Sequence, residues 1–238
     1  MSLSMPGIAG WYGKAASLGD FASRRLPSSF ISPWDAWLQD AITDSRSMLG
    51  PGWLQAYLSC PVWRFVLFPG VCGDTTWAGV LMPSVDKVGR YFPLTIACAL
   101  EAFAGTEHEF DLFADWLDRL ETLALSTLDT ARDMQHFDRS LAALHAPGVA
   151  APRVGLARRI LSTLADGGTT PLTLPSDDEL ATTLMAAGAA LLAQTAQGSS
   201  LWWTSGEPGS GVPLLTCRGL PEPGRFAAML QGLSSHPA

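Results

Sequence analysis

Three runs rich in β-branched and aromatic residues follow one another closely: VWRFVLF at 62–68, TTWAGVLM at 75–82 and YFPLTIACAL at 91–100. Pro69-Gly70, Gly73-Asp74 and Pro83-Ser84 separate them, so they read as consecutive strands on short connections. Pro93 cannot donate to a strand ladder, so pairing of the third run is expected to begin after it. Two more strands, SLWWT at 200–204 and VPLLTC at 212–217, flank the glycine loop SGEPGSG. The chain must therefore cover a sheet of about five or six strands.

Helical periodicity fills the intervals. In SPWDAWLQDAITDSRSML, Ser32 suits the N-cap and Pro33 the first helical position, where its missing N–H costs nothing. Trp34, Trp37, Leu38, Ala41, Ile42 and Ser45 then share one apolar face, and Gly50-Pro51-Gly52 ends the helix. From Phe110, a second helix groups Phe110, Phe113, Leu117, Leu120, Ala124 and Leu128, with Asp111, Asp115, Asp118 and Glu121 turned away. Further helices are expected over 133–145 and 154–165, from the capping box of Ser176 and Glu179 to Gly198, and over GRFAAMLQGL at the far end. This order predicts an α/β (α+β) fold: a single mixed sheet covered by helices, with a helical cluster in the middle of the chain. One domain over 1–238 is expected, its α/β part at 8–100 and 199–235 and its helical part at 101–198.

The formal charge of −7 argues against nucleic acid as a partner, because phosphate binding needs clustered Lys and Arg, and only Arg24-Arg25 and Arg158-Arg159 stand out. Cys60, Cys72, Cys98 and Cys217 are far apart, with no CxxC and no histidine pair, and read as buried reduced thiols. The opening MSLSMPGIAGWYGK lacks the basic and apolar regions of a secretory signal. The longest charge-free stretch, 180–206, holds Thr, Gln, Ser and Gly, and its apolar part is too short to span a bilayer. A cytoplasmic protein without membrane insertion is expected.

Catalytic signals are weak. Ser84-Val85-Asp86-Lys87 matches S-x-x-K, in which a lysine can activate a serine, but the companion S-D-N and K-T-G elements are absent. His108, His136, His145 and His236 form no metal-binding spacing. GEPGSG joins two strands and opens no helix that could receive a phosphate, and Asp177-Asp178 suits a helix N-terminus. No catalytic residue, metal or cofactor is assigned. The competing reading is a hydrolase-type enzyme using Ser84 with Lys87, or an Asp-based site in the same turns.

Two stretches concentrate the remaining polar residues: GWYGKAASLGDF at 10–21, running on to Arg24 and Arg25, and GVLMPSVDKVGRYFPLT at 79–95. Short Ser and Asp side chains bond to nearby backbone in turns. Pairing of Asp20 with Arg90, or of Arg24 with Asp86, would clamp the two stretches together. Ser17, Asp20, Arg24, Arg25, Ser84, Asp86 and Arg90 are the candidate cluster, for partner binding or for structure.

Taken together, GWYGKAASLGDFASRRLPSSFISPWDAWLQ at 10–39, WAGVLMPSVDKVGRYFPLT at 77–95 and SLWW at 200–203 form a long ordered pattern. It resembles the type VI secretion accessory family TagF, also called ImpM. The resemblance covers about the first hundred residues, and the region 101–198 carries no matching motif. It implies a non-enzymatic cytoplasmic regulator that restrains assembly or firing of the apparatus after translation, by binding type VI secretion components. In some systems that route passes through a forkhead-associated scaffold protein, which also receives a threonine-phosphorylation signal. Some relatives carry a fused phosphatase domain. No metal-binding aspartate set for one is visible here, so any link to that circuit would run through binding partners. The resemblance also implies that the two motif stretches lie side by side.

Overall fold

In the computed structural model, which describes residues 7–14, 21–100, 106–129, 133–148, 158–163, 165, 177–205 and 211–233, the three central runs become three neighbouring strands. The strands are β1 (Gly10–Gly13), β2 (Ala22–Arg24), β3 (Trp63–Leu67), β4 (Thr76–Met82), β5 (Leu94–Leu100), β6 (Ser199–Trp203) and β7 (Leu214–Arg218). They form one sheet in the order β2-β1-β5-β4-β3-β6-β7, and every pairing is antiparallel. Among the described residues the sheet thus has seven strands rather than five or six, and it is antiparallel rather than mixed. The additional pair, GWYG and ASR, is too short and glycine-rich to show a strand pattern in sequence. β5 starts immediately after Pro93, as expected.

Helices cover both faces. On one lie α1 (Ser28–Leu49), α2 (Trp53–Ser59) and, from the far end of the chain, the helix Pro223–Leu230. Beneath them Trp63, Phe65, Leu67, Trp77, Leu81, Ala97 and Trp202 form an aromatic-rich core. On the other face α3 (Glu107–Ser126) and α4 (Met134–Ala143) cover Val66, Ala78, Val80, Met82, Ile96 and Cys98. Next in the chain, α5 (Asp177–Thr195) touches this second core through Ala193, and the helix Pro223–Leu230 is α6. Residues 158–163 are helical as well. Alternate residues of a strand point to opposite faces, and here both faces are dry, so β3, β4 and β5 are apolar along nearly their whole length.

α1 begins at Ser28, with Pro27 extended at its N-cap, so Ser32 is not the cap and Pro33 lies inside the helix. Phe30 supplies the reason. It is fully buried one turn before Trp34, and the two rings stack 5.2 Å apart, which extends the helix past the proline. The carbonyl that Pro33 leaves unbonded belongs to exposed Ser29, where water can satisfy it. The rest of the expected face holds: Trp34, Leu38, Ala41, Ile42 and Ser45 are buried. α2 had no clear signature in sequence. On α3, Trp116 joins Phe113, Leu117, Leu120 and Ala124 on the buried side, whereas Phe110 and Leu128 are half-exposed. Thr106 caps this helix by accepting the Glu109 N–H at 3.1 Å.

All four cysteines are free thiols. Burial pushes Cys60, Cys72 and Cys98 up to about 12. Among the described residues no helix is long and apolar enough to cross a membrane. The expected cap at Ser176 and the middle of the 205–211 loop lie outside the described residues.

Candidate functional site

The site starts at a tight crossing. Gly13 closes β1 with φ +128°, and a Cβ there would stand 2.1 Å from the Pro93 carbonyl oxygen. Only glycine fits, and the chain beyond it carries Lys14 into the interior. Lys14 is 4% exposed, and its Nζ lies 3.1 Å from Oδ2 of Asp86, in the loop between β4 and β5. Asp86 organises that loop. Its Oδ1 accepts the backbone N–H groups of Val88 (3.0 Å) and Arg90 (2.9 Å), and its Oδ2 accepts Arg90 Nε at 2.7 Å. Its own N–H donates to the Arg90 carbonyl at 3.1 Å.

Burial works to raise the Asp86 carboxyl, but the Arg90 N–H, the Lys14 ammonium, the Arg90 guanidinium and the Val88 N–H together hold it far below the usual carboxylate range. A carboxylate has about four acceptor positions, and all are used here. Asp86 is thus a fixed anion, poorly suited to moving protons near neutral pH. Tyr57 of α2 secures the start of the loop, donating its hydroxyl to the Ser84 carbonyl (2.9 Å) and accepting the Ser84 N–H (3.1 Å). Among the described residues Ser84 Oγ is buried without a hydrogen-bond partner, and Lys87 is exposed. The serine–lysine contact that S-x-x-K chemistry needs is not formed.

The two motif stretches do lie side by side. Phe21 packs edge-on to Phe92 at 4.7 Å, and the Lys14 ammonium sits 4.8 Å from the centre of the Phe21 ring. Tyr12 packs edge-on to Phe92 and donates its hydroxyl to Asp35 of α1. The bridging cation is Lys14, however, and not Arg24: Asp86 pairs with Lys14 and Arg90. Arg24 is exposed on β2. Arg25, at φ +62°, serves a separate clamp. It donates to the Ala9 carbonyl at 2.8 Å and to Asp138 of α4 at 2.8 and 3.1 Å, where Trp11 Nε1 also donates at 2.9 Å. Ser17 and Asp20 lie outside the described residues, so the Asp20–Arg90 pairing does too.

Sequence reasoning passed over Lys14 and Tyr57. Lys14 had a signal, because it ends the GWYGK run that opens the family pattern. Tyr57 had none, since its helix was not legible.

Above the clamp lies an open groove of about 550 Å³, lined by Arg46, Trp53, Leu54, Gly89, Arg90 and Tyr91. Arg46 stacks over Trp53 at 4.3 Å, and Trp53 meets Tyr91 edge-on at 5.8 Å. The Arg90 side chain is 51% exposed even while it bonds Asp86. Leu54 and Val88 add exposed apolar surface at 42% and 64%. The groove therefore presents two guanidinium groups over an apolar and aromatic floor. Among the described residues no group of three or more His, Cys, Asp or Glu is placed to hold a metal.

Fold and site define a three-layer α+β protein in which an N-terminal hairpin is clamped onto a central loop. The family model described as the TagF N-terminal domain, type VI secretion system-associated, matches residues 10–144. This chain belongs to the TagF family, and the Lys14–Asp86–Arg90 clamp falls inside the matched region. The crystal structure of PA0076 from Pseudomonas aeruginosa PAO1 is similar over 97% of both chains, at 33% sequence identity and a TM-score of 0.71. A search of curated proteins finds no match.

Proposed function

We propose that this protein is a non-enzymatic cytoplasmic accessory protein that restrains type VI secretion after translation, by binding another component through the groove of Arg46, Trp53, Leu54, Arg90 and Tyr91. One observation carries the reading. The carboxylate of the family motif is spent inside the protein: Asp86 is saturated by Lys14, Arg90 and backbone N–H groups, which holds rigid the loop that rims the open groove. The groove offers two cations on a chain of net charge −7. An acidic segment with an apolar side chain for the Leu54 and Val88 rim complements it. The forkhead-associated scaffold implied by the family resemblance is the first partner to test.

The experiment coexpresses the chain with the scaffold and other type VI components of its own host, and measures secretion alongside binding. Arg46→Glu reverses the charge of one wall without touching the Asp86 clamp. The expected result is lost binding, salt-sensitive residual affinity and raised secretion from a chain that still unfolds cooperatively, with only the small stability loss of removing the Arg46–Trp53 stack. A folded Arg46→Glu, Leu54→Asp double variant that binds and represses like wild type overturns the reading. The serine-enzyme alternative draws no support from the unpartnered Ser84 Oγ and exposed Lys87.

A further inference from the structure

α5 carries no charge from Leu180 to its end at Thr195. One side of it is accounted for: Thr183, Ala186 and Ala187 are buried, Leu161 packs against the two alanines, and Ala193 reaches the second core. The other side is apolar and open to solvent, with Leu180, Leu184, Met185, Leu191 and Leu192 each 46–53% exposed. A helix apolar on all sides is ordinarily covered on all sides, and a contiguous exposed apolar face marks an interface.

The pattern of that face says what covers it. Residues 184–192 read LMAAGAALL, large-large-small-small-Gly-small-small-large-large, a palindrome of side-chain size about Gly188. Among the described residues a Cβ at Gly188 would meet nothing within 4 Å, so their packing gives no reason for a mid-helix glycine, which costs about 1 kcal/mol relative to alanine. In a symmetric dimer both copies use the same patch, and the patch must complement itself. We propose that α5 is a self-association face on which a second copy of this chain packs antiparallel about a two-fold axis at Gly188. That axis brings residue 188−n level with residue 188+n of the second copy. Leu184 then meets Leu192 of the second copy, Met185 meets its Leu191, and the two glycines let the helices approach closely.

The antiparallel arrangement also separates the acidic starts of the two helices by about 30 Å, at 1.5 Å per residue, well beyond the screening length. Nineteen residues make a helix about 28 Å long and about 10 Å wide, so the helix pair alone falls short of the roughly 1,000 Å² of a robust interface. Association is therefore concentration-dependent. It does not rest on the groove reading, because α5 belongs to the opposite layer of the sheet.

Sedimentation of the full chain from about 1 to about 100 µM tests this. The expected result is a shift from the 25.3 kDa chain toward twice that mass, weakened at least tenfold by Gly188→Glu, whose side chain starts in open space and leaves the monomer folded. The geometry has its own readout. Gly188→Cys meets its symmetry mate at disulfide range and crosslinks on oxidation beyond the background of the native thiols, whereas Leu180→Cys, about 24 Å from its mate, does not. A wild-type chain that stays at monomer mass throughout, a Gly188→Glu chain that dimerises equally well, or a dimer in which Gly188→Cys fails to crosslink each overturns the proposal. In the first case the face is left to a different protein.

Discussion

Asp86 and Tyr57 show how single side chains fix the motif loop. Asp86 is buried, yet four hydrogen-bond donors keep it ionised. Its folded-state pKa is lowered from 3.8, so the carboxylate contributes stability above the unfolded-state value and loses it as pH falls below about 4. In urea titrations at descending pH, Asp86→Asn is expected to be less stable than wild type at pH 7, with the gap narrowing toward pH 2. A gap independent of pH would mean that shape and not charge matters at this position. Tyr57→Phe removes one donor and one acceptor from a fully buried site and leaves the Ser84 N–H unsatisfied. The expected loss is about 1–3 kcal/mol in chemical denaturation. Asp86 was legible as a turn residue because a short carboxylate bonds the local backbone, as it does at Val88 and Arg90. The same reasoning placed Ser84, whose Oγ makes no such bond among the described residues. The long-range partner of Asp86 was not legible, since Lys14 meets it only once β1 is placed beside β5.

Secondary-structure elements were legible in proportion to how completely the sheet and helices bury them. β3, β4 and β5 are dry on both faces and stand out as apolar runs. β1 and β2 draw their pairing from neighbours, Trp11 against Ile96 and Arg24 against Trp11, and four and three residues carry no period of their own. α3 was found with the right period and with Phe113, Leu117, Leu120 and Ala124 on its buried side, but the buried face also takes in Trp116 and leaves Phe110 and Leu128 half-exposed. Gly79 marks a close approach of two backbones within the sheet. A Cβ there would lie 1.9 Å from the Ile96 carbonyl oxygen, so Gly79→Ala must push β4 away from β5. Overpacking of this kind costs about 1–3 kcal/mol. Thermal melts are expected to show it, with the loss not recovered by any rotamer change, because the clash is with backbone. An unchanged melting temperature would show that the two strands can separate freely.

At the scale of the molecule, the part of the chain that the family model matches depends on a part beyond it. The family model ends at 144, but the first core closes only with residues beyond 198. Trp202 is fully buried and stacks 5.9 Å from Trp34, while Phe226 meets Trp37 edge-on at 5.6 Å. Trp37 Nε1 donates to the Pro221 carbonyl (2.7 Å), and Trp63 Nε1 to that of Met229 (3.2 Å). β6 also pairs along β3, which would otherwise end the sheet as an open edge. Sequence could suggest this only through SLWW, because pairing over more than 130 positions leaves no local trace. Removing the far segment exposes a tryptophan cluster, two indole N–H groups and a strand edge at once, and each favours association over folding. A chain ending at residue 144 is therefore expected to lack a cooperative unfolding transition, to bind a hydrophobic dye and to aggregate. Adding residues 199–233 as a separate peptide should restore protection of β3 amides in hydrogen exchange. A truncated chain that melts cooperatively as a soluble monomer, with β3 amides already protected, would show that the motif-bearing segment folds by itself and that the far strands are an addition to a finished core.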